Sequence, residues 1–511
     1  MPSLNWIGKE AVINHDKEVP FKLLKKVKSV SVGKSSENLI IHGDNLEALK
    51  ALMPYYSGKI KCIYIDPPYN TGNENWVYND KVNSPKIRQW LGKVVGRELE
   101  DLTRHDKWLC MMYPRLKLLK DLLAEDGAIF VSIDDNEHCN LREVLGELFN
   151  EFNFVESFIW KSRLGKGATS QTTAKLHEYI VAYAKDINKL QFKTDKRISI
   201  KDAKERLRQW GQGDRREDRP TMYYPIYSKE FGEIFPKKPD GTDGRWRISK
   251  IKMDDLISTG LITFEKQKDG RVEAYRTILS GNETNTAYSS ILDPEIVKTT
   301  AHGSVELKDI FGDNIFSYPK PSALIKEIVS LCTKDGDIIL DSFAGSGTTG
   351  HAVLDLNKED GKNRKFILVE MEDKVAKDIT AERVKRAIKK YDYKNGFEYC
   401  ELDKPLFNQE GQIEESCSFN ELATYIYFTE TQTNIDTKKI KNNLIGEHNG
   451  TEYHLIYRGK DKNVLNKTFL RNVSVNGNKK VIYADKCFVD DDVLGKYNIQ
   501  FKQIPYEVKI Y

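Results

Sequence analysis

The chain has 511 residues, too many for one ordinary domain, and about two to four domains are expected. Hydrophobic residues make up 39% and charged residues 31%, which suits a soluble protein with packed cores, and no segment approaches the ~18 apolar residues of a membrane helix. The N-terminus lacks the charged and apolar regions of a signal peptide. The seven cysteines are scattered and never spaced as Cys-x-x-Cys, which predicts reduced thiols in a cytoplasmic protein without a zinc site. A net charge of +4 does not by itself indicate a nucleic-acid partner, so any such surface must be a local patch.

The first residues, 4–35, mix aromatic, basic and apolar side chains without clear periodicity. We expect them to form an extension that packs on the domain that follows. From Leu39 an alternation of strands and helices begins, with a strand at Leu39–Ile41 and an amphipathic helix at Leu46–Leu52. Asp44 lies directly before this helix and suits its N-cap.

The segment Lys61–Asn70 joins an apolar, strand-forming run to two prolines that end it. Because proline cannot continue a central strand, Asp66 is predicted at the carboxyl end of a buried strand, where ligands bind in α/β sheets. Asp66, Pro67, Pro68 and Tyr69 then offer a carboxylate, a rigid carbonyl and an aromatic face at one point. Two acceptors and a stacking ring suit the exocyclic amino group of a base removed from a duplex. Taken alone, these residues also fit a proline turn whose aspartate caps the next segment.

A polar stretch follows from Asn70 to about residue 106, with few apolar repeats and many Asn, Gly and Lys residues. Long loops in compact domains are usually functional or mobile. Because this loop leaves the Asp66 segment, we expect it to lie beside the substrate, with Asn70 and Trp76 as contacts. A disordered surface loop in the free protein is equally consistent.

The alternation continues with a helix from Trp108 to Ala124, a strand at Ala128–Ile133 and a helix from Leu141 to Phe149. Between the last two lie four acidic or amide residues, 134–137. They could bind a metal, but a helix cap explains them better. Strands at Phe154–Trp160 and Tyr179–Ala184 complete this half.

Residues 190 to about 300 lose the alternation and concentrate arginines near Trp210 and Trp246. The arginines of interest are Arg206, Arg208, Arg215, Arg216, Arg219, Arg245 and Arg247. Arginine can bind guanine edges or phosphates, and aromatic rings can stack on bases. Interspersed acidic residues reduce the local positive charge, so an ordinary solvated face is the alternative.

The alternation returns at Phe316, and residues 317–322 lead into a helix at Ala323–Cys332 and a strand at Asp337–Leu340. A glycine-rich turn, Asp341–Gly350, joins that strand to another helix. Such a turn lets backbone approach a ligand and directs helix amides at it, although a Gly-x-Gly turn alone is weak evidence. It is not a nucleotide P-loop, because the chain contains no Gly-x-x-x-x-Gly-Lys-[Ser/Thr].

The strand Lys365–Glu370 follows and ends in a carboxylate. In that position Glu370 is placed to hold ribose hydroxyls, with a helix-capping acid as the less favoured alternative. A basic amphipathic helix, Ile379–Lys390, closes the domain.

Residues from about 401 to 511 contain neither an Asp-Pro-Pro-Tyr segment nor a glycine-rich turn like that at Asp341–Gly350. Strands predicted at Ala423–Phe428, Tyr453–Tyr457 and Lys480–Tyr483 indicate a small α/β module. Its role is open among dimerisation, docking of a partner subunit and an additional contact with the substrate.

Asp-Pro-Pro-Tyr at 66–69 and Phe-Ala-Gly-Ser-Gly-Thr at 343–348 occur in this order at a domain-sized separation. Together they resemble the S-adenosylmethionine-dependent DNA amino-methyltransferases of the β arrangement, and most of all the modification subunits of type III restriction–modification systems. The resemblance covers most of residues 4–395. It implies an α/β, Rossmann-like methyltransferase domain with a mostly parallel sheet, an inserted target-recognition domain and the small C-terminal α/β module.

The resemblance also implies the functional residues. The cofactor S-adenosylmethionine is expected to contact Asp44 with its adenine and the Lys-Pro segment with its methionine end. The full cofactor set is Asp44, Lys320, Ser322, Asp341, Phe343, Ala344, Gly345, Ser346, Gly347, Thr348 and Glu370. Contacts to double-stranded DNA are expected from the Asn70–Trp76 loop and from Arg206, Arg208, Arg215, Arg216, Arg245 and Arg247. No metal is expected, because the methyl group of the donor is already activated.

The domains are predicted at 1–189 and 301–400 for the two halves of the methyltransferase domain, 190–300 for target recognition and 401–511 for the C-terminal module. Asp66 and the Pro67 carbonyl would accept the two N6 hydrogens of a flipped adenine, and Tyr69 would stack on it. Cytosine-N4 enzymes of this type usually carry Ser or Thr in place of Asp66, and relatives that modify glutamine carry Asn. The aspartate therefore favours adenine. A catalytically silent DNA-recognition subunit is the alternative from another class. A homodimer and a separate restriction or helicase subunit are the expected partners.

Overall fold

A computed structural model describes residues 4–33, 37–71, 103–165, 173–198, 203–278, 283–407, 412–436, 440, 442–458 and 463–504. The chain forms two compact units, Met1–Lys193 with Ser290–Tyr511, and Thr194–Ser289. In the described residues, no helix is long and apolar enough to cross a membrane. The second unit, Thr194–Ser289, lies within the insertion predicted at residues 190–300. The role predicted for this insertion stays a prediction.

The first half of the larger unit alternates strands and helices. Its elements are α1 (Lys9–Val12), α2 (His15–Glu18), β1 (Lys22–Lys26), β2 (Leu39–His42), α3 (Asn45–Tyr56), β3 (Ile60–Ile65), α4 (Arg104–Leu122), β4 (Leu123–Ile133), α5 (His138–Phe149), β5 (Phe154–Trp160) and β6 (Glu178–Ala184). The helix predicted to reach Ala124 ends at Leu122, because the chain is already extended at Leu123, where β4 starts.

In its described residues the smaller unit, Thr194–Ser289, contains short antiparallel strands, an α-helix and two 3₁₀ helices. Its elements are β7 (Asp195–Ile198), β8 (Ala203–Arg206), β9 (Ile226–Ser228), β10 (Gly232–Ile234), α6 (Lys250–Ser258), β11 (Ile262–Lys266), β12 (Val272–Ile278) and β13 (Glu283–Thr286). The strands pair as β8–β12–β11, β9–β10 and β7–β13. A separate apolar core, which includes Leu207, Trp246 and Met253, holds them together.

The second half of the larger unit returns to the α/β alternation. Its elements are α7 (Pro294–Val297), α8 (Thr300–Phe311), α9 (Ser322–Ser330), β14 (Ile338–Asp341), α10 (Thr348–Asp360), β15 (Lys365–Glu370), α11 (Asp373–Val375), a π-helical segment (Ala376–Ala381), α12 (Glu382–Tyr391) and β16 (Glu398–Pro405). The basic helix predicted from Ile379 is thus regular α-helix only from Glu382.

The C-terminal part forms an α/β module with its own sheet. Its elements are α13 (Phe419–Thr431), β17 (Leu444–His448), β18 (Thr451–Leu455), β19 (Val464–Leu465), α14 (Lys467–Leu470), β20 (Lys479–Ala484), β21 (Lys486–Cys487), α15 (Asp491–Lys496) and β22 (Ile499–Gln503). The main sheet of the module has the order β17–β18–β20–β22.

One strand predicted in the module is wrong: residues 423–428 lie in α13. Ser418 and Glu421 form a reciprocal cap, in which the Ser418 hydroxyl accepts from the Glu421 amide at 3.3 Å and the Glu421 carboxylate accepts from the Ser418 amide at 2.8 Å. Leu422, Ala423 and Ile426 are buried together at helical spacing. The cap and this spacing outweigh the strand preference of the aromatic and β-branched residues.

A nine-stranded sheet of order β1–β16–β2–β15–β14–β3–β4–β6–β5 organises the larger unit. The six strands from β16 to β4 are parallel, whereas β1 and β6 run antiparallel to their neighbours. Strand β3 is buried along its whole length, as expected for a central parallel strand covered on both faces. The carboxyl ends of β2, β15, β14, β3 and β4 therefore meet at one edge of the sheet, together with the amino end of β6.

Candidate active site

Asp66 lies directly after β3, at the carboxyl edge of the sheet, where the proline pair predicted it. The buried Trp108 of α4 donates from its Nε1 to the Pro68 carbonyl at 2.7 Å and fixes the turn. Pro67 and Pro68 restrict the backbone on either side of this contact. The tetrapeptide is therefore a rigid, anchored turn that presents the Asp66 carboxylate, whose side chain is 13% exposed.

The ammonium of Lys320 contacts Asp66 directly. Its Nζ donates to both carboxylate oxygens of Asp66 at 2.8 Å and to the Tyr69 hydroxyl at 2.9 Å. We predicted Lys320 as a cofactor contact, and its side chain does line the cavity beside the glycine-rich turn. Its ammonium, however, is bonded to Asp66 and Tyr69 of the Asp-Pro-Pro-Tyr segment.

Glu178, which sequence reasoning missed, completes this cluster. It accepts a hydrogen bond from the Tyr69 hydroxyl at 3.0 Å and lies 3.7 Å from Lys320 Nζ. Burial, and then the Asp66 and Glu178 carboxylates, raise the pKa of Tyr69 well above its usual range, so the phenol stays protonated and donates. Glu178 is the first residue of an antiparallel strand, and only the pairing of β6 with β4 places it beside Asp66.

The glycine-rich turn between β14 and α10 is held by Asp341 at its start. Asp341 accepts from the Phe343 amide at 3.0 Å and from the Thr349 hydroxyl at 2.5 Å. Burial, together with the nearby Asp66 and Glu370 carboxylates, raises the pKa of Asp341 to about 7. Both carboxylate oxygens thus shape the turn itself, although the residue also lines the cavity.

Glu370, at the end of β15, fastens the other side of the turn. One oxygen accepts from the Gly345 amide at 2.8 Å and the other from the Glu372 amide at 2.9 Å. The side chain is buried against the turn. Its predicted binding of ribose hydroxyls stays a prediction, and its position beside Gly345 is compatible with it.

Gly345 and Gly347 adopt positive φ angles of 50° and 76°, which favour glycine. A Cβ on Gly347 would lie 2.8 Å from the Thr380 carbonyl oxygen in the π-helical segment, and the Thr380 hydroxyl donates to the Gly345 carbonyl at 2.6 Å. The turn therefore packs backbone to backbone on that segment. A π-bulge at such a position is typical of functional sites.

The hydroxyls of Ser346 and Thr348 accept from the buried Arg383 guanidinium at 3.0 and 2.6 Å. Arg383 also donates to Glu306 at 3.0 Å, and Glu306 in turn accepts from the Ser322 amide at 3.0 Å. Glu306 thus joins the start of α9 to the glycine-rich turn. Ser322, predicted as a cofactor contact, joins this network through its backbone amide, which donates to Glu306.

Asp44 caps α3, as predicted, by accepting from the Leu46 and Glu47 amides at 2.9 and 3.2 Å. Its second oxygen lies 3.3 Å from Nη2 of the buried Arg115. Its predicted contact with the cofactor adenine stays a prediction.

Asn70 was expected to contact DNA, but its side chain is buried and fastens the chain. It adopts a left-handed φ of 56°, and its amide donates to the Arg104 carbonyl at 3.1 Å and to Glu137. Trp76, the other expected contact of this loop, lies outside the described residues. The direct DNA contact of Asn70 is therefore corrected to a structural role.

Residues 134–137, which follow β4, were expected to cap a helix, but Glu137 has other partners. Glu137 is fully buried and makes no side-chain cap; its carboxylate binds Asn70, His105 at 2.7 Å and Asn140 at 2.7 Å. Asp134 instead accepts from the Asn136 amide at 2.9 Å. Among the described residues no group of three or more His, Cys, Asp or Glu is arranged to hold a metal.

In the smaller unit Arg208 was expected at a DNA surface but is buried. Its Nε donates to Glu273 at 2.9 Å, and both side chains are 3% exposed. Trp246, expected to stack on a base, is also in the core and donates to the Tyr224 carbonyl at 2.8 Å. Both residues therefore stabilise the unit in this structure.

The remaining arginines of the prediction are at least partly exposed. Arg216 pairs with Asp243 at 3.2 Å, Arg247 with Glu205 at 2.8 Å, and Arg245 donates to the Gly213 carbonyl at 2.5 Å. Arg206 lies 3.9 Å from Glu273, the amide of Arg215 donates to Asp218 at 2.9 Å, and Trp210 is 66% exposed. These side chains remain candidates for DNA contact.

A small cavity of about 30 Å³ lies between Asp66 and the glycine-rich turn. Its lining includes Phe316, Phe343 and Ala344, together with the carboxylates of Asp66 and Asp341. At Gly345 an added Cβ would come within 3.3 Å of Phe316 Cζ, so the glycine keeps this space free. A cavity of this size holds about one water molecule, and its lining offers aromatic and carboxylate groups next to Asp66.

Fold and site together define an α/β protein in which a glycine-rich turn lies beside an Asp-Pro-Pro-Tyr motif. A family model described as DNA methylase matches residues 60–382, more than half of the chain. The chain therefore belongs to the DNA methylase family, and S-adenosylmethionine is its methyl donor.

Within this family the chain is similar to modification (Mod) subunits of type III restriction–modification enzymes. It is 33% identical to the EcoPI Mod subunit of Escherichia phage P1 over 444 residues, which cover 76% of this chain and 68% of that protein. It is 34% identical to the StyLTI Mod subunit of Salmonella typhimurium, with 70% and 55% covered, and 30% identical to the EcoP15I Mod subunit of Escherichia coli, with 76% and 69% covered. These relatives confirm the family that the two motifs indicated.

Proposed function

We propose that the chain transfers a methyl group to the N6 amine of adenine in double-stranded DNA, as the modification component of a restriction–modification system. The observation that carries the proposal is a cavity that Asp66 and the glycine-rich turn both line. Aspartate before Pro-Pro-Tyr supports adenine over cytosine. DNA as the substrate puts this activity in the cytoplasm.

The bound cofactor supplies a methyl group that is already activated on a sulfonium. The chain therefore has to align the amine and hold its lone pair toward the donor. Asp66 and the Pro67 carbonyl accept the two amine hydrogens, and Tyr69, fixed by its hydrogen bond to Glu178, stacks on the flipped base. The proton leaves after the nitrogen has gained the methyl group, so Asp66 need not deprotonate the amine beforehand. Asp44, Phe343, Gly345, Gly347 and Glu370 hold the cofactor.

We assign sequence recognition to the unit Thr194–Ser289, with Arg206, Arg215, Arg216, Arg245 and Arg247 as contacts. Support comes from the separate core of this unit and from its exposed arginines and Trp210. Pairing with carboxylates in the free protein does not preclude DNA binding, because surface ion pairs are weak and a phosphate can replace the carboxylate.

We propose a homodimer that works with a separate restriction subunit. A flipped base and a recognised sequence of several base pairs need more surface than one catalytic domain readily presents. Light scattering on the pure protein should give twice the mass of one chain. A monomer that methylates DNA at a normal rate would refute the dimer.

The proposed activity is tested by sequencing modified bases in DNA from a strain that expresses the protein, and by transfer of label from tritiated cofactor to that DNA. N6-methyladenine within one short sequence is the expected result. N4-methylcytosine would overturn the choice of base but not the class of reaction, and the absence of modified DNA would overturn both.

A further inference from the structure

Three hydrogen bonds occupy the Lys320 ammonium in the described structure. They go to both oxygens of Asp66 at 2.8 Å and to the Tyr69 hydroxyl at 2.9 Å. An ammonium has three donors, so this set uses all of them. The carboxylate that is proposed to receive the amine of the target base is therefore already bonded to an amine-like donor of the chain itself.

The backbone of Lys320 is held firmly while its side chain is long and flexible. Pro319 and Pro321 flank it, and its carbonyl accepts from the Thr348 hydroxyl at 3.2 Å. Gly303 approaches so closely that an added Cβ would lie 2.2 Å from the Pro319 carbonyl oxygen. Any displacement of the ammonium must therefore come from rotation of the four-carbon side chain.

Glu178 is the nearest further acceptor for the ammonium, with an oxygen 3.7 Å from Nζ. A shift of about 1 Å brings that pair to hydrogen-bonding distance. Burial by itself lowers the pKa of Lys320, but the Asp66 and Glu178 carboxylates outweigh it and raise the pKa, so the side chain stays charged. A short shift toward Glu178 leaves no shielded carboxylate without a nearby cation, whereas complete withdrawal would leave Asp66 and Glu178 unpaired.

We propose that the Lys320 ammonium donates to the same Asp66 oxygens that the target amine must use. When the base enters, the ammonium moves to Glu178. Lys320 is then a positioning residue that keeps the Asp66 carboxylate aligned in the free enzyme. Glu178 has two tasks, since it orients the Tyr69 ring and receives the displaced ammonium. The proposal rests on the proposed transfer to an exocyclic amine and goes beyond it, because it names what the amine must displace.

The test compares two duplexes that carry the methylation sequence mapped for the wild-type protein. One has adenine at the target position and the other has purine, which lacks the exocyclic amine. Dissociation constants are measured with S-adenosylhomocysteine, which has no methyl group to transfer. The change of this ratio between a variant and the wild-type protein reports the contact of the amine in the site, because the difference in base pairing between the two duplexes is the same for both proteins.

Lys320→Met removes the competing ammonium and should raise the preference for adenine over purine by about two- to tenfold, the net worth of one hydrogen bond. Glu178→Gln removes the charge that receives the ammonium and should lower that preference below the wild-type value. Affinity for the purine duplex should stay unchanged in both variants. A purely structural role would instead weaken both duplexes together.

Lys326→Met is the matched control, because Lys326 is also a shielded lysine between two carboxylates, Asp355 at 2.7 Å and Glu359 at 2.5 Å, outside the site. It should leave the preference unchanged. A Lys320→Met variant with an unchanged or lower preference for adenine would overturn the proposal.

The two proposals fail separately. Wild-type protein that transfers no methyl group refutes the function, whereas active wild-type protein with unresponsive variants refutes only the displacement. If mapping finds N4-methylcytosine, the same comparison is made with cytosine and pyrimidin-2-one, which lacks the corresponding amine.

Discussion

Asp66 lies in a cluster of charged and phenolic side chains contributed by three separate parts of the chain. Asp66 and Tyr69 follow β3, Glu178 starts β6, and Lys320 precedes α9. The cluster contains two carboxylates and one ammonium, all largely shielded from solvent. Low solvent access strengthens each of these interactions, so small changes in geometry have large effects on what Asp66 can accept.

Asp66→Ala removes the proposed acceptor for the target amine. Turnover should fall by about 10²–10³-fold, the usual cost of losing one preorganised transition-state contact. Calorimetric affinity for S-adenosylmethionine should remain within a small factor of the wild-type value, because the residue serves the amine. Asp490→Ala, at an exposed aspartate that lies 3.5 Å from Lys467, is the control and should be fully active. A variant of Asp66 with near-normal turnover would remove it from the mechanism.

Among the elements, the contact between the glycine-rich turn and the π-helical segment sets the shape of the turn. Gly347 lies against the Thr380 carbonyl. A larger residue at this position would clash with that carbonyl and displace the turn from the segment Ala376–Ala381. Arg383 of α12 reaches the same turn, and Glu306 of α8 binds Arg383 and pairs with His351 of α10. Helices far apart in sequence thus position the turn that β14 and α10 supply.

The Glu306 carboxylate should make folding stability depend on pH in the acid range. Burial opposes its charge, but His351 and Arg383 outweigh burial and hold the pKa of Glu306 at about 2, below its ordinary value of 4.5. Its stabilising effect is therefore complete above about pH 4.5 and is lost as the pH falls toward 2. Glu306→Gln should melt below the wild-type protein at pH 7, and the difference should shrink as the pH falls from 4.5.

Thermal unfolding between pH 3 and pH 7 measures this difference. Glu327→Gln is the control, since Glu327 is a shielded carboxylate of α9 that pairs with Lys193 at 2.7 Å outside this network. It should leave the shape of the wild-type profile unchanged. A difference between Glu306→Gln and wild type that stays constant across the range would show that the charge of Glu306 does not contribute.

At the scale of the whole molecule, the C-terminal module and the unit Thr194–Ser289 differ in how they are packed. The module shares an apolar core with Phe21 and Leu23 of the N-terminal extension, and Tyr55 of α3 packs against it. It is therefore part of the larger unit. The unit Thr194–Ser289, with a core of its own, is the part that can be exchanged with the least disturbance.

Exchange of residues 194–289 for the corresponding unit of a relative with another site should move methylation to the relative's sequence. The cofactor affinity of the chimera should match that of the parent, because the residues that line the cavity precede residue 194 or follow residue 289. Sequencing of modified bases reads out the site. A folded, active chimera that keeps the parental sequence would refute the assignment.

The sequence by itself determined the elements whose signals are local. Prolines 67 and 68 ended β3 just before Asp66, and Asp44 capped α3 as its chemistry requires. The glycines of the turn marked the junction of β14 and α10, and the two motifs in their order indicated the family. Local patterns were less decisive at residues 423–428, where aromatic and β-branched residues favoured a strand but a capped helix formed.

Only the tertiary structure decided which side chains meet. Glu178 has no sequence signal, because it reaches Asp66 through an antiparallel strand whose pairing the sequence does not specify. Arg208 and Asn70 read as DNA contacts from their type and neighbours, yet each is buried against a carboxylate that is distant in sequence, Glu273 and Glu137. Lys320 lies 254 residues from Asp66 and bonds to both of its oxygens. Long-range burial and charge pairing depend on how the strands are ordered in the sheet, and local residue patterns carry no information about that order.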